Sequence, residues 1–151
     1  MKESFIEKDY CYLAMYHNDQ FDRWFDVKSY PENEFWYLIK YCSEHINIWF
    51  DKETFPIKDY KYLAEHCSEY FDIWYDKETF FIDKFWYLSL YCSEYFDIWF
   101  DKKNFPIKKY HYLAHYCPEH FTSWFDKETF PIEDYQYLAA YCYDYLDVWN
   151  K

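Results

Sequence analysis

The chain has 151 residues, a formal net charge of −12, no glycine, and aromatic side chains at 30% of its positions. An acidic balance opposes binding to a phosphate backbone, which depends on Lys and Arg, so nucleic acid is not an expected partner. Without glycine the positive φ angles of tight hairpin turns are disfavoured, so a strand-rich fold is excluded and the composition predicts an all-α protein.

One stretch of 25 residues is repeated about six times, and a tryptophan recurs once in each period. The series is Trp24, Trp49, Trp74, Trp99, Trp124 and Trp149. A fixed period of this size is typical of stacked repeats. We therefore expect a single repeat domain, residues 1–151, with approximate copies at 4–28, 29–53, 54–78, 79–103, 104–128 and 129–151. The fold class is an α-solenoid of six αα-hairpins with an aromatic-rich core, each with a longer helix A and a short helix B.

Two-helix repeats of this kind resemble tetratricopeptide-like solenoids. The period of 25 residues is shorter than that family's period of about 34, and its W-x-x-L-G pattern is absent. No family is therefore assigned from the sequence.

Helix A follows a residue that can cap a helix N-terminus in each copy. These residues are Ser4, Ser29, Thr54, Thr79, Asn104 and Thr129. Two residues later, proline is expected in the first helical turn of four copies: Pro31, Pro56, Pro106 and Pro131. In the third copy helix A is predicted from about Pro56 to Cys67, with one buried face at helical spacing made by Tyr60, Leu63, Ala64 and Cys67. Tyr62 and His66 are expected to widen this face.

Helix B has its own start signal, because Ser43, Ser68 and Ser93 can cap it and Pro118 fits a first-turn position. Its buried edge is predicted at Phe71, Trp74 and Tyr75. A helix of about eight residues is marginal in isolation, so its stability is expected to come from docking the tryptophan.

Cysteine occurs once per repeat from the second copy on, at Cys42, Cys67, Cys92, Cys117 and Cys142, while Cys11 is out of phase. Packed helices lie about 8–10 Å apart, whereas a disulfide needs Cα atoms within about 6.8 Å. We therefore expect reduced core thiols.

The charged N-terminus does not resemble a signal peptide, and no apolar run is long enough for a bilayer, so a cytoplasmic protein without membrane contact is expected.

No catalytic motif is present, so we expect no enzymatic activity. His111 and His115 have the spacing of two metal ligands, but zinc normally takes three or four. No metal or other cofactor is expected, and both histidines are predicted to be solvated. His45 and His120, near the starts of helix B, are predicted to have packing or surface roles.

The partner-binding surface is predicted where the copies differ on the face of helix A opposite the core. Its residues are Trp36, Lys40, Lys61, Glu65, Trp86, Leu90, His111 and His115. The expected function is a non-enzymatic scaffold that binds a protein or peptide, with Trp36 and Trp86 about 16–20 Å apart at about 8–10 Å per layer. Two alternatives stay open: adjacent copies bury these side chains, or the working surface is an acidic ridge on helix B that imitates nucleic acid in a basic groove of another protein.

The ridge would combine the acidic residues of helix B, such as Asp72, with the aspartates of the links: Asp26, Asp51, Asp76, Asp101 and Asp126.

A monomer is expected. The first copy is polar enough for a capping repeat, with His17, Gln20 and Arg23. The last copy is less polar, and its apolar residues are interpreted as an imperfect cap, with an end-to-end contact as the alternative: Tyr143, Tyr145, Leu146 and Val148.

Overall fold

The computed structural model describes residues 9–80 and 84–151, and the regular structure within these ranges is helical throughout. The expected cap Ser4 lies outside the described residues. Each repeat contains one longer and one shorter α-helix, as the 25-residue period predicts. The all-helical repeat architecture with an aromatic-rich core is therefore confirmed.

The longer helices belong to helix A of each repeat and are α1 (Tyr10–Tyr16), α3 (Phe35–Tyr41), α5 (Tyr60–His66), α7 (Phe85–Tyr91), α9 (Tyr110–Tyr116) and α11 (Tyr135–Tyr141). The shorter helices belong to helix B and are α2 (Phe21–Trp24), α4 (Ile46–Trp49), α6 (Phe71–Trp74), α8 (Phe96–Trp99), α10 (Phe121–Trp124) and α12 (Leu146–Trp149).

Short 3-10 helices precede α2 to α6 and α8 to α12 in the described residues. Before helix B they are Asn18–Gln20, Ser43–His45, Ser68–Tyr70, Ser93–Tyr95, Pro118–His120 and Tyr143–Tyr145. Before helix A they are Glu32–Glu34, Ile57–Asp59, Ile107–Lys109 and Ile132–Asp134. Each of these ten α-helices thus starts with one tight turn.

The chain forms two compact units, Met1–Tyr75 and Asp76–Lys151, called unit 1 and unit 2 below. In unit 1 the longer helices α1, α3 and α5 pack side by side in chain order. In unit 2 α7, α9 and α11 do the same. Each unit is therefore a short helical solenoid in which a repeat packs on its sequence neighbours.

The helix starts differ from the sequence prediction. In the third repeat Thr54 lies in the turn before helix A, and its amide donates back to the Asp51 carbonyl at 3.1 Å. The following Pro56 has extended ψ and precedes the 3-10 helix, where its carbonyl accepts from the Asp59 amide at 2.9 Å. In the four repeats with this proline, its carbonyl begins helix A, so the expected capping role is wrong for Ser29, Thr54, Asn104 and Thr129. The segment that follows Thr79, residues 81–83, lies outside the described residues.

Helix B is also not capped by serine side chains. Ser43, Ser68 and Ser93 are the first residues of their 3-10 helices, and the preceding cysteine occupies the cap position. Pro118 occupies the first-turn position that the sequence predicts for it.

The link aspartate closes the turn between repeats. Its Oδ1 accepts the amide of the residue two positions on at 3.0–3.1 Å, and the pairs are Asp26–Lys28, Asp51–Glu53, Asp76–Glu78, Asp101–Lys103 and Asp126–Glu128. This is an Asx turn. These carboxylates therefore fix the backbone of the link, and their part in an acidic ridge stays a prediction.

The core follows the predicted helical face. Tyr60, Leu63, Ala64 and Cys67 of the third repeat are all buried, as are Phe71 and Trp74 of its helix B. Tyr62, His66 and Tyr75 are half-buried. Helix B is thus docked through its tryptophan and phenylalanine, which supplies the stability that so short a helix lacks.

Each repeat's tryptophan also makes a hydrogen bond that was not predicted from the sequence. Its Nε1 donates to the backbone carbonyl seven residues earlier, at the junction of helix A and helix B, over 2.7 to 3.1 Å. The pairs are Trp24–His17, Trp49–Cys42, Trp74–Cys67, Trp99–Cys92, Trp124–Cys117 and Trp149–Cys142. One side chain therefore fills the core and fixes the corner between the two helices.

The buried cysteines link one repeat to the one before it. A thiol donates to a backbone carbonyl at one fixed position of the preceding helix A, in the pairs Cys42–Ala14 (3.7 Å), Cys67–Ile39 (3.5 Å), Cys117–Ser89 (3.8 Å) and Cys142–Ala114 (3.6 Å). A larger side chain would separate the helices, so cysteine is both a small core residue and a donor here.

Among the helices of residues 9–80 and 84–151, none combines the length and the apolar character needed to cross a lipid bilayer.

Candidate functional site

Helix A presents two variable positions and two aromatic positions on the side opposite its buried face. In α9 these are His111 and His115, with Tyr112 and Tyr116 beside them, while Leu113 and Ala114 face the core. The 3.6-residue helical period alone produces this division. Because α7, α9 and α11 lie side by side, the outward rings of unit 2 come into contact across repeats.

These rings form a continuous stack, which we call the ring ladder, made by Tyr87, Trp86, Tyr112, His111 and Tyr137 in that spatial order. Successive centroids are 3.9, 4.7, 4.3 and 5.2 Å apart, with interplanar angles of 28–37°. Trp86 is stacked on Tyr87 and Tyr112, while the His111 ring is tilted against Tyr112 and Tyr137, and ring pairs at these distances are favourable. Three repeats therefore contribute to one surface.

Every ladder ring is half-buried. The side chains are held by stacking from one repeat to the next, as Trp86 is on Tyr112, so they keep part of their surface open to solvent without being free to rotate. The sequence leaves two alternatives for Trp86, an exposed recognition residue or a side chain buried by its neighbours. The observed exposure of Trp86 is intermediate between the two.

Charged groups border the ladder. The Lys109 ammonium lies 4.8 Å from the Trp86 ring centroid and 5.5 Å from that of Tyr112, which are cation–π distances. On the other side of α9, the His111 Nδ1 atom is 3.7 Å from an Asp134 carboxylate oxygen. The ladder thus has a cation at one repeat junction and a carboxylate at the next.

A second, shorter stack lies one helical turn on. The His115 ring lies 4.1 Å from both Tyr116 and Tyr141, nearly parallel to each. Leu90, at the equivalent position of α7, is half-buried. His115 is exposed, as the sequence predicts, although its ring stacks on two tyrosines, whereas His111 is half-buried between ring neighbours.

The predicted site residues of unit 1 have a different arrangement. Trp36 contacts Tyr37 and Tyr41 of its own helix edge-on, at 5.3 and 6.4 Å, and Lys40 places its ammonium 4.7 Å from the Trp36 ring. Lys61 lies 4.8 Å from the Tyr62 ring, and Glu65 is exposed. These contacts stay mostly within one helix. Because Trp36 and Trp86 belong to different units, their expected separation stays a prediction.

Four rings and one lysine of this surface were missed by the sequence reasoning: Tyr87, Tyr112, Tyr137, Tyr141 and Lys109. Helical spacing predicts the tyrosine of each repeat, such as Tyr62, at the edge of a widened buried face. Its position one residue after the variable position was the signal that could have placed it beside the candidate site.

The exposed carboxylates of helix B are where the sequence predicts them. They are Asp19, Asp22, Glu44, Glu69, Asp72, Glu94, Asp97, Glu119, Asp144 and Asp147. The exposed side chains Ile48, Ile73 and Ile98 lie between them on the same helices. The helix B surface is therefore mixed, with acidic and apolar residues alternating.

His45 and His120 have packing roles, as predicted. Each ring stacks on a phenylalanine of the preceding repeat, His45 on Phe21 at 4.4 Å and His120 on Phe96 at 4.2 Å. In the described part of the chain, no group of three or more His, Cys, Asp and Glu side chains is placed to hold a metal ion.

The buried thiols are kept in their neutral form. Burial raises the pKa of Cys42, Cys67, Cys92 and Cys117 to about 12, and that of Cys142 to about 11. Because the thiolate is the nucleophile of cysteine chemistry, these side chains are unreactive core residues.

No protein-family model, curated protein or solved structure matches this chain. The ring ladder, the acidic surface of helix B and the core thiols are therefore interpreted from their own geometry.

Proposed function

We propose that the protein is a non-enzymatic helical-repeat scaffold that binds a protein or peptide segment along the ring ladder of unit 2. The observation that carries this proposal is the continuous stack of half-buried rings contributed by α7, α9 and α11. A surface that extends over three repeats suits an extended segment or a helix better than a small molecule.

The chemistry of the ladder supports recognition. Tryptophan and tyrosine dominate the energetics of many interfaces. Rings that are already stacked lose little conformational freedom when a partner covers them, so less of the binding free energy is spent on ordering them. The positions that change from repeat to repeat, Trp86 and His111, give the ladder a sequence of different side chains along its length.

Several features are consistent with a binding role in a reducing compartment. The five repeat thiols are buried and protonated, which suits the cytoplasm, where cysteines stay reduced. Their raised pKa values also make them poor nucleophiles. A scaffold requires only a stable surface, which the repeated core supplies.

Selection from a displayed peptide library tests the proposal. The wild-type protein is the bait, and every selected peptide is then measured against the Trp86→Ala, Tyr112→Ala double variant. The selected peptides should bind the wild type at least tenfold more tightly than the double variant, about 1.4 kcal/mol or more. The matched control is Trp36→Ala, which removes a half-buried helix A indole outside the ladder and should leave binding unchanged. Peptides that bind wild type and double variant equally would contradict the proposal.

A second candidate function is an acidic decoy that occupies a basic groove of another protein, supported by the net charge of −12 and the exposed carboxylates of helix B. Salt separates the candidates, because electrostatic mimicry weakens steeply with ionic strength and aromatic docking does not. A partner that is lost on Asp72→Lys and Asp97→Lys but retained by the ladder double variant would favour the decoy.

A further inference from the structure

The first and last repeats expose apolar side chains on helix A that the repeats between them do not. Of the large apolar residues on the six longer helices, Tyr12 (52%), Met15 (37%) and Tyr16 (64%) are exposed on α1, and Tyr141 (43%) is exposed on α11. The tyrosines equivalent to Tyr12 in the other five repeats are all half-buried. Apolar exposure on helix A is thus concentrated at the two ends of the repeat series.

The exposed face of the last repeat is one half of the interface that repeats use among themselves. Ala139 is exposed, whereas Ala14 and Ala114 at the equivalent positions are fully buried. Leu146 is half-buried, whereas Phe121 at its position in the preceding repeat is fully buried. Ala139 and Leu146 are thus more accessible than the equivalent residues of the preceding repeat, which the following repeat covers.

The junction between the last two repeats shows what covers such a face. The Cys142 thiol donates to the Ala114 carbonyl at 3.6 Å, Tyr141 stacks on His115 at 4.1 Å, and Tyr137 lies 5.2 Å from His111. A covering repeat therefore supplies two tyrosines and a hydrogen-bond donor at these three positions.

The first repeat has these groups on its open face. Tyr12 and Tyr16 occupy the positions of Tyr137 and Tyr141, and their rings are in contact, with centroids 5.0 Å apart and planes tilted by 43°. His17 occupies the position of the thiol, and an imidazole N–H is also a donor. The two open faces are complementary because they are the two sides of one repeated junction.

We propose that the open face of α11 and α12 binds the open face of α1 in a second copy of this chain, head to tail. Tyr12 and Tyr16 of one copy lie over Gln136 and Ala140 of the other, as Tyr137 and Tyr141 lie over His111 and His115 within unit 2. His17 of the first copy faces the backbone carbonyl of Ala139 in the second. A second copy is the occupant because this contact continues the packing between repeats that both units already contain.

The contact is weaker than the junctions within a unit. Gln20 occupies the repeat position at which His45, His120 and Tyr145 stack on a ring of the preceding repeat. Because glutamine has no ring, the contact between copies lacks this aromatic pair. Two copies with a net charge of −12 each also repel one another. Association should therefore depend on concentration and strengthen as salt screens the repulsion.

Sedimentation velocity on the full chain over a wide concentration range tests the proposal. The weight-average mass should rise at least twofold with concentration, towards an open chain or a closed ring of copies. Ala139→Arg blocks one face and Tyr16→Arg blocks the other, and each variant alone should remain a monomer. Ile98→Arg is the matched control, because it adds the same charge at an exposed apolar position away from both faces, and it should associate like the wild type.

Mixing the two blocked variants gives the decisive result. Each retains the face that the other has lost, so an equimolar mixture should form a 1:1 dimer and stop there. A wild type that stays monomeric up to its solubility limit would overturn the proposal. So would association of either blocked variant with itself, which would indicate a contact between two identical faces. Circular dichroism melting curves show that each variant is folded before its mass is interpreted.

Discussion

The tryptophan of each repeat is the side chain on which the fold depends most. Trp74 is almost completely buried, and its Nε1 donates to the Cys67 carbonyl at 2.7 Å. Trp74→Ala should lower the free energy of unfolding by about 3–5 kcal/mol, because the indole leaves a cavity and an unpaired carbonyl. Urea unfolding at constant pH measures this change.

Trp74→Phe separates the two contributions. Phenylalanine keeps much of the ring volume but cannot donate, so the loss should be smaller and reflect mainly the missing hydrogen bond, about 1–3 kcal/mol. A Trp74→Ala variant that unfolds at the same urea concentration as the parent would show that this side chain is not part of the core.

The cysteines should separate into two classes by reactivity. Cys11 is half-buried, whereas the five repeat thiols are buried with a raised pKa of about 11 to 12. At pH 8 iodoacetamide should label Cys11 first and the others at least tenfold more slowly, because both access and thiolate formation are suppressed. In denaturant without reductant, mass spectrometry should show six labels. A pair that stays unlabelled there would indicate a disulfide and contradict the reduced core.

Within one link turn, Asp101 combines an Asx bond with an ion pair between repeats. Its carboxylate accepts the Lys103 amide at 3.0 Å and lies 3.2 Å from the Lys77 ammonium. The bond from Lys77 and the backbone bond from Lys103 lower the pKa of Asp101 below its usual range. A lowered pKa means that the folded state favours the carboxylate, so this stabilisation is present above about pH 4 and is lost as the pH falls.

Asp101→Asn keeps an oxygen acceptor for the turn but removes the charge. The variant should be destabilised by about 0.2–1 kcal/mol at pH 7, and the difference from the wild type should shrink below about pH 4. Thermal melting from pH 7 to pH 3 gives both values, with Asp72→Asn as an exposed control. A difference that is independent of pH would show that the ion pair with Lys77 contributes nothing.

Between repeats, the ring ladder should couple residues that the chain separates by a whole period. The Trp86 and Tyr112 rings are 4.7 Å apart at 28°. A double-mutant cycle with Trp86→Ala and Tyr112→Ala should give a coupling energy of about 0.5–1.5 kcal/mol in the free energy of unfolding. The same cycle on Trp36 and Tyr62 is the matched control and should couple less, because Trp36 contacts the rings of its own helix. Equal coupling in the two cycles would contradict the ladder.

The whole chain contains 28 acidic and 16 basic residues, which leaves a net negative charge. Compaction of a chain with this excess is opposed by its own charge. The melting temperature should therefore rise as sodium chloride is added from low ionic strength, even though the pair of Lys77 with Asp101 is weakened by the same screening. A melting temperature that falls with salt would mean that the ion pairs outweigh the general repulsion.

Periodicity was enough to predict the helices and their buried faces. The 25-residue repeat of tryptophan predicts one stacked unit, and helical spacing alone assigns residues such as Leu63 and Ala64 to the core. The helix starts were predicted less well, because Ser, Thr and Pro fit several positions near a helix end. In the structure, the first hydrogen bond of helix A in the third repeat is accepted by the Pro56 carbonyl and not by the Thr54 side chain.

The candidate surface required the tertiary structure, because stacking depends on which residues adjacent helices bring together. Trp86, His111 and Lys40 stood out in the sequence as variable positions. Only the packing of α9 between α7 and α11 showed that Tyr112 joins Trp86 to His111, and that the corresponding contacts of Trp36 stay within its own helix. Sequence determines which residues share a helix face, since that depends on the helical period. Contacts across repeats depend on side-chain orientation and helix separation, which the packing of the core decides.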